Sequence, residues 1–247
     1  MQRLKLNVKN CLKISREYIR TITDIFFPRL CLSCNKKISG DYLCLNCQEK
    51  IIFLKPPLCQ YCSKPIPTTI DPICRKCLNN DFFYDRIISI TEYKDPITSL
   101  IRWFKYKNYD FIAEFLAQLM TAHLEKIKFD FSGYNLITSV PMHRDKLKTR
   151  GYNQAAVLAK LLSNYFKIPF SNDIMTVVNI RPSQTKLSQD KRKENIEGIF
   201  RGRKNLKNKK IILIDDILTT GATVNSCCQE LKRMQASIIT VITLAKA

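Results

Sequence analysis

The chain has 247 residues, 45% hydrophobic and 25% charged, the composition of a globular protein with room for two folded units. Its 41 Lys and Arg against 21 Asp and Glu leave a formal charge of +20. That excess suits nucleic acid, phosphorylated metabolites or an anionic membrane surface, and a lysine-rich proteome bias would produce it equally well. No run approaches the ~20 uncharged apolar residues of a membrane span, and the amino-terminal lysines lead into no apolar stretch of secretory type. The expectation is a cytoplasmic protein without stable membrane insertion.

Residues 1–29 carry Leu4, Leu6, Val8, Leu12, Tyr18, Ile22 and Phe26 at loosely helical spacing, which predicts a helical segment packed on its own protein, with a membrane or partner surface as the alternative. Four Cys-x2-Cys pairs follow: Cys31 with Cys34, Cys44 with Cys47, Cys59 with Cys62, and Cys74 with Cys77. A Cys-x-x-Cys turn presents two thiolates to one tetrahedral ion, so two turns complete a four-thiolate zinc site. The stretch therefore predicts two structural Zn2+ sites over residues 30–82. Consecutive pairs can share an ion, and the spacing equally permits a cross-braced arrangement. With prolines at 56, 57, 65, 67 and 72 and few periodic apolar residues, this segment relies on metal for its folding energy. Cys11, Cys227 and Cys228 stand alone and read as core or incidental thiols.

From residue 83 to 247 the pattern becomes α/β. Strands are expected at 86–92, 136–140, 174–178 and 238–244 and helices at 111–126 and 154–166, which implies a parallel sheet covered on both faces with ligands at the carboxyl ends of its strands. Residues 102–109 interleave cations with aromatics, and Lys105, Tyr106 and Lys107 are candidates for stacking and neutralising single-stranded DNA; the plainer reading is a helix end with a solvated basic face. Residues 141–154 gather Arg144, Lys146, Lys148 and Arg150 around Gly151, read as a glycine that opens a helix, and such a loop suits a diphosphate. Residues 181–200, with Gln184, Lys186, Arg192 and Asn195, are polar, basic and almost without periodicity.

The most specific stretch is 211–223, IILIDDILTTGAT. Four apolar residues read as a buried parallel strand; the turn after it leads into a helix. Backbone N–H groups of Thr220, Gly221, Ala222 and Thr223, with the hydroxyls of Thr219, Thr220 and Thr223, can surround a phosphate. A phosphate repels Asp215 and Asp216, so the acid pair is better suited to accept hydrogen bonds from an adjoining sugar diol. The pattern asks for a ribose 5-phosphate.

This order of strand, acid pair and TTGAT turn resembles the phosphoribosyl-pyrophosphate (PRPP) signature of type I phosphoribosyltransferases. The cysteine pairs, the Lys-Tyr element at 105–106, RGYNQA at 150–155 and the glutamine-to-phenylalanine stretch at 184–200 are together similar to the ComF-type competence branch of that superfamily. The departure lies at Asn179-Ile180-Arg181-Pro182-Ser183, where the threonine that commonly precedes the glutamine is missing. The resemblance implies a parallel sheet flanked by helices behind a double zinc ribbon. It further implies PRPP with Mg2+, its ribose and the metal on Asp215 and Asp216, its 5-phosphate on residues 219–223 and its pyrophosphate near Arg144, Lys146, Arg150 and Gly151. Residues 184–195 become a mobile loop that closes over the ligand. The implied role is in DNA uptake and natural transformation, beside single-stranded DNA and a helicase-type partner. Transfer to an unidentified acceptor and a purely binding role both fit.

Overall fold

The computed structural model describes residues 29–38, 42–67, 71–106, 110–178 and 198–247. The helical segment expected before residue 29 lies outside them. The chain divides into two compact units, residues 1–50 and 51–247.

The first unit holds a hairpin-like knuckle. Leu30 bridges Lys37, Cys31 N donates to Lys36 O at 2.8 Å, and Asn35 N returns to Cys31 O at 2.9 Å. Asn35 takes a left-handed φ of 60°, which its short polar side chain tolerates. A short helix, α1 (Leu45–Glu49), then carries Cys47. The second unit opens on a copy of the same device. Leu58 bridges Pro65, Cys59 N donates to Lys64 O at 2.8 Å, Ser63 N returns to Cys59 O at 2.9 Å, and Ser63 has φ 54°. The double ribbon is thus an internal repeat, with an identical hydrogen-bond pattern around the first cysteine pair of each half.

The second knuckle is joined to the sheet of its own unit. Ser63 Oγ donates to Ile87 O and accepts from Ser89 N, at 3.1 and 2.9 Å, and Tyr84 OH donates to Tyr61 O at 2.8 Å. Tyr61 stacks on Phe82 with ring centroids 4.6 Å apart.

Four strands form the parallel sheet: β1 (Arg86–Glu92), β2 (Leu136–Ser139), β5 (Lys210–Leu218) and β6 (Ile238–Lys246), in the order β1-β6-β5-β2. Because both faces are covered, β5 and β6 are apolar runs rather than alternating patterns. Ile211, Leu213, Ile239 and Val241 pack with Val224, Cys227, Cys228 and Leu231 of α6 (Ala222–Arg233), while the alternate residues Ile212, Ile214 and Ile242 are equally buried. α3 (Asp110–Lys126) packs on β1 and α5 (Gln154–Phe166) on β2 and β5. Cys227 and Cys228 are core thiols, as their apolar neighbours require.

Two expectations are corrected. The strand expected at 174–178 does not join the parallel sheet; β3 (Met175–Val177) pairs antiparallel with β4 (Phe200–Gly202) in a separate two-stranded ribbon. The ribbon is tied to the far end of α6, where Gly202 N donates to Glu230 Oε1 at 2.7 Å. A strand of only three residues, Met-Thr-Val, carries no information about which sheet it enters. Gly151 also does not open a helix. Residues 144–150 form their own helix, α4 (Arg144–Arg150), with His143 Nδ1 accepting from Asp145 N at its start; Gly151, at φ 81°, closes it. Asn153 then caps α5, its Oδ1 accepting from Ala155 N at 3.1 Å.

Candidate functional site

The site forms where the carboxyl ends of β5 and β2 meet. Val140 N donates to Ile214 O at 3.0 Å, so the chain leaving β2 passes directly beside Asp215. The strand runs on through the acid pair to Leu218 before the turn, rather than ending at the acids. Gly221, with φ 79°, is the αL residue that starts α6; a side chain there would be strained, although its Cβ would meet no more than van der Waals contact with Leu218 and Tyr84. Thr219, Thr220 and Thr223 are exposed around it, and Ala222 N lies 3.4 Å from Thr220 Oγ1.

A cleft of about 340 Å³ brings four separate stretches together: Lys105, the loop and helix at 141–155, the β3–β4 ribbon, and Asp215 to Val224. Lys146, Arg150, Asp215, Asp216, Thr219, Gly221 and Thr223 of the expected site line it. Arg144 and Gly151 are exposed and outside the lining, as are Thr220, exposed, and Ala222, half-buried, of the turn. Gln184, Lys186, Arg192 and Asn195, read from the sequence as a loop, lie outside the described residues, as does Lys107.

Lys105 departs from its sequence reading. It belongs to the last turn of α2 (Ile97–Tyr106), and its Nζ sits 2.7 Å from Asp216 Oδ2, the two side chains only 19% and 18% exposed. It is therefore engaged inside the cleft rather than offered outward to a nucleic acid. Helix α2 is held firmly: Asp95 Oδ1 accepts from Thr98 Oγ1 and from Ser99 N and Oγ at its start, and Phe104 is fully buried near its end. Tyr152 OH donates to Phe104 O, which ties this helix end to the RGYNQ stretch.

The acids are unlike each other. Burial, and next the charge of Asp216, push the Asp215 carboxyl up from 3.8 to about 7, while the Asp216 N–H at 2.9 Å and Lys105 pull the other way. Gln154, 1% exposed, was carried in the sequence only as part of RGYNQA. Its Oε1 faces Arg150 NH1 at 3.4 Å, and its Nε2 has no hydrogen-bond partner among the described residues, leaving a buried donor at the cleft wall.

The cysteines divide into two tetrads, Cys31, Cys34, Cys44 and Cys47, and Cys59, Cys62, Cys74 and Cys77; consecutive pairs share a site, which removes the cross-braced alternative. Within each tetrad the sulfurs lie within 4.8 Å of one another, and Cys34 to Cys44 and Cys62 to Cys74 are both 3.7 Å apart. Four thiolates at the Zn–S distance of ~2.3 Å stand about 3.8 Å apart on a tetrahedron, so both tetrads fit a four-thiolate zinc.

Comparison with known proteins follows the same division. Residues 22–78 match the double zinc ribbon domain and residues 152–247 the phosphoribosyl transferase domain. The chain is 30% identical to Competence protein F of Haemophilus influenzae, over 90% of this chain and 99% of the relative. It is 27% identical to the DNA utilization protein YhgH of Escherichia coli (strain K12), over 89% of this chain and 97% of that relative. Among solved structures, a hypoxanthine phosphoribosyltransferase from Staphylococcus aureus aligns with 59% of this chain and 71% of its own at 18% identity and a TM-score of 0.38, too loose to transfer a residue role. Tandem cysteine knuckles ahead of a parallel sheet with an acid pair near its carboxyl end, matched along nearly the whole length of Competence protein F, establish that the chain belongs to the ComF family.

Proposed function

We propose that this protein is a PRPP-binding, phosphoribosyltransferase-like protein of DNA uptake that works at single-stranded DNA in the cytoplasm. The observation that carries the reading is the convergence, in one cleft, of an acid pair, a glycine-started helix N-terminus and a basic helix. In this reading the 5-phosphate takes the N–H groups and hydroxyls of 219–223, where the helix end favours an anion. The ribose diol donates to Asp215 and Asp216. Lys146 and Arg150 hold the diphosphate, with Arg144 and Gly151 at its outer edge and residues 184–195 closing over it.

The protein offers magnesium little. Asp215 and Asp216 are the only carboxylates lining the cleft among the described residues, and Asp216 already bears Lys105. Mg2+ requires near-octahedral oxygen ligation, so these residues alone do not build a site, and the metal belongs to the PRPP diphosphate rather than to the chain.

The names of the relatives and the charge of +20 support the DNA assignment. No helix among the described residues is long and apolar enough to cross a membrane. Anisotropy of a labelled single strand, titrated with and without PRPP, tests the reading. Affinity is expected to fall by roughly tenfold or more between 50 and 200 mM salt and to change when PRPP is present. Salt-independent binding, or binding indifferent to PRPP, contradicts it. Pyrophosphate release in the same tubes distinguishes turnover from holding.

A further inference from the structure

The ion pair between Lys105 and Asp216 has a consequence for how the cleft is charged. Two adjacent carboxylates beside a phosphate site create repulsion that a divalent cation commonly relieves. Here the relief is built into the chain. Lys105 Nζ lies 2.7 Å from Asp216 Oδ2 with both side chains about four-fifths removed from solvent, a placement that a loose surface contact does not give. Its helix is capped by Asp95 at one end, anchored by buried Leu100 and Phe104, and joined through Tyr152 to the stretch carrying Arg150. The ammonium is therefore positioned by the fold rather than by the ligand.

We infer that Lys105 is the internal counter-cation of the acid pair, a positioning residue that lets this cleft bind a ribose 5-phosphate group without a divalent metal. The inference rests on the ribose-phosphate reading above and deepens it. Lys105 leaves Asp216 one oxygen for the sugar hydroxyls, orients it, and cancels one negative charge next to the incoming phosphate. A lysine is suited to this as a compact point charge with three donors.

The test uses the full-length chain and ribose 5-phosphate, which has no diphosphate to bring magnesium with it. Calorimetry is run in magnesium-free buffer without chelator, so that metal on the cysteines is left alone, and again with added Mg2+. Wild type is expected to bind in both buffers within about twofold, Lys105→Gln to lose about tenfold or more without magnesium and recover much of it with magnesium, and Lys105→Arg to stay near wild type. The magnesium-dependent recovery separates a charge role from simple loss of structure, and equal melting temperatures check the fold. A wild type that requires magnesium, or a Lys105→Gln variant equal to wild type in both buffers, overturns the inference. Ribose 5-phosphate that fails to bind wild type in either buffer overturns the underlying reading instead.

Discussion

Asp215 and Asp216 are chemically identical neighbours that line one cleft in unlike surroundings. Asp216 meets Lys105; Asp215 is driven upward to about 7 by burial and by its neighbour's charge. The native state therefore holds a proton that the unfolded chain releases near its ordinary value of 3.8. The stability that this proton contributes is present at acid pH and is lost as pH rises through about 7. Asp215→Asn, which does not titrate and keeps an oxygen for the Asp216 N–H, is expected to show a flatter stability curve and to exceed wild type by on the order of 1–3 kcal/mol at pH 8. Melting curves across pH 5–8 check this, and parallel curves for the two proteins would refute it. The acid pair was legible because an apolar run followed by two acids and a glycine turn has few other readings. Lys105 was not, because nothing local says that a cation at a helix end meets an acid from a distant strand.

The elements divide by how much their own sequence specifies. Strand β5 and helix α6 follow from an unbroken apolar run and a TTGAT turn, whereas β3 follows from three residues, Met-Thr-Val, that fit a ribbon as well as a sheet. Helix α4 has no apolar stripe; its signals are a capping His143 and a closing Gly151, and they were outweighed by the density of charge. Cysteine spacing announced two metal sites and left their pairing open, since only the repeated knuckle geometry selects consecutive pairs. Among the described residues, the hydrogen bonds from a knuckle to the sheet of its own unit are those of the second. The second donates to and accepts from β1 through Ser63 and supports Tyr84 through Tyr61, so its metal loss reaches the sheet. Cys59→Ser is expected to lower the main melting transition by several degrees, on the scale of a lost structural site, while Cys31→Ser lowers zinc content by one equivalent with a smaller thermal effect. Equal effects of the two substitutions on the main transition would remove this distinction.

At the scale of the molecule, the parallel order β1-β6-β5-β2 brings the carboxyl end of β5 beside that of β2, and the helices on both faces explain why the strands read as continuous apolar runs. That architecture was legible from alternation of elements, and the family from motifs spread along the chain. The use of the positive charge was not, because a net +20 states an attraction without stating a surface. The cleft is where charge, turn and acids become one site, and the central claim is that it holds PRPP. Calorimetric titration of PRPP into wild type and into the Asp215→Asn, Asp216→Asn double variant tests that claim most directly, with zinc content measured on both. Saturable one-site binding to wild type, abolished in the double variant at unchanged zinc, is the predicted result; equal affinity for both proteins, or none for wild type, would contradict it.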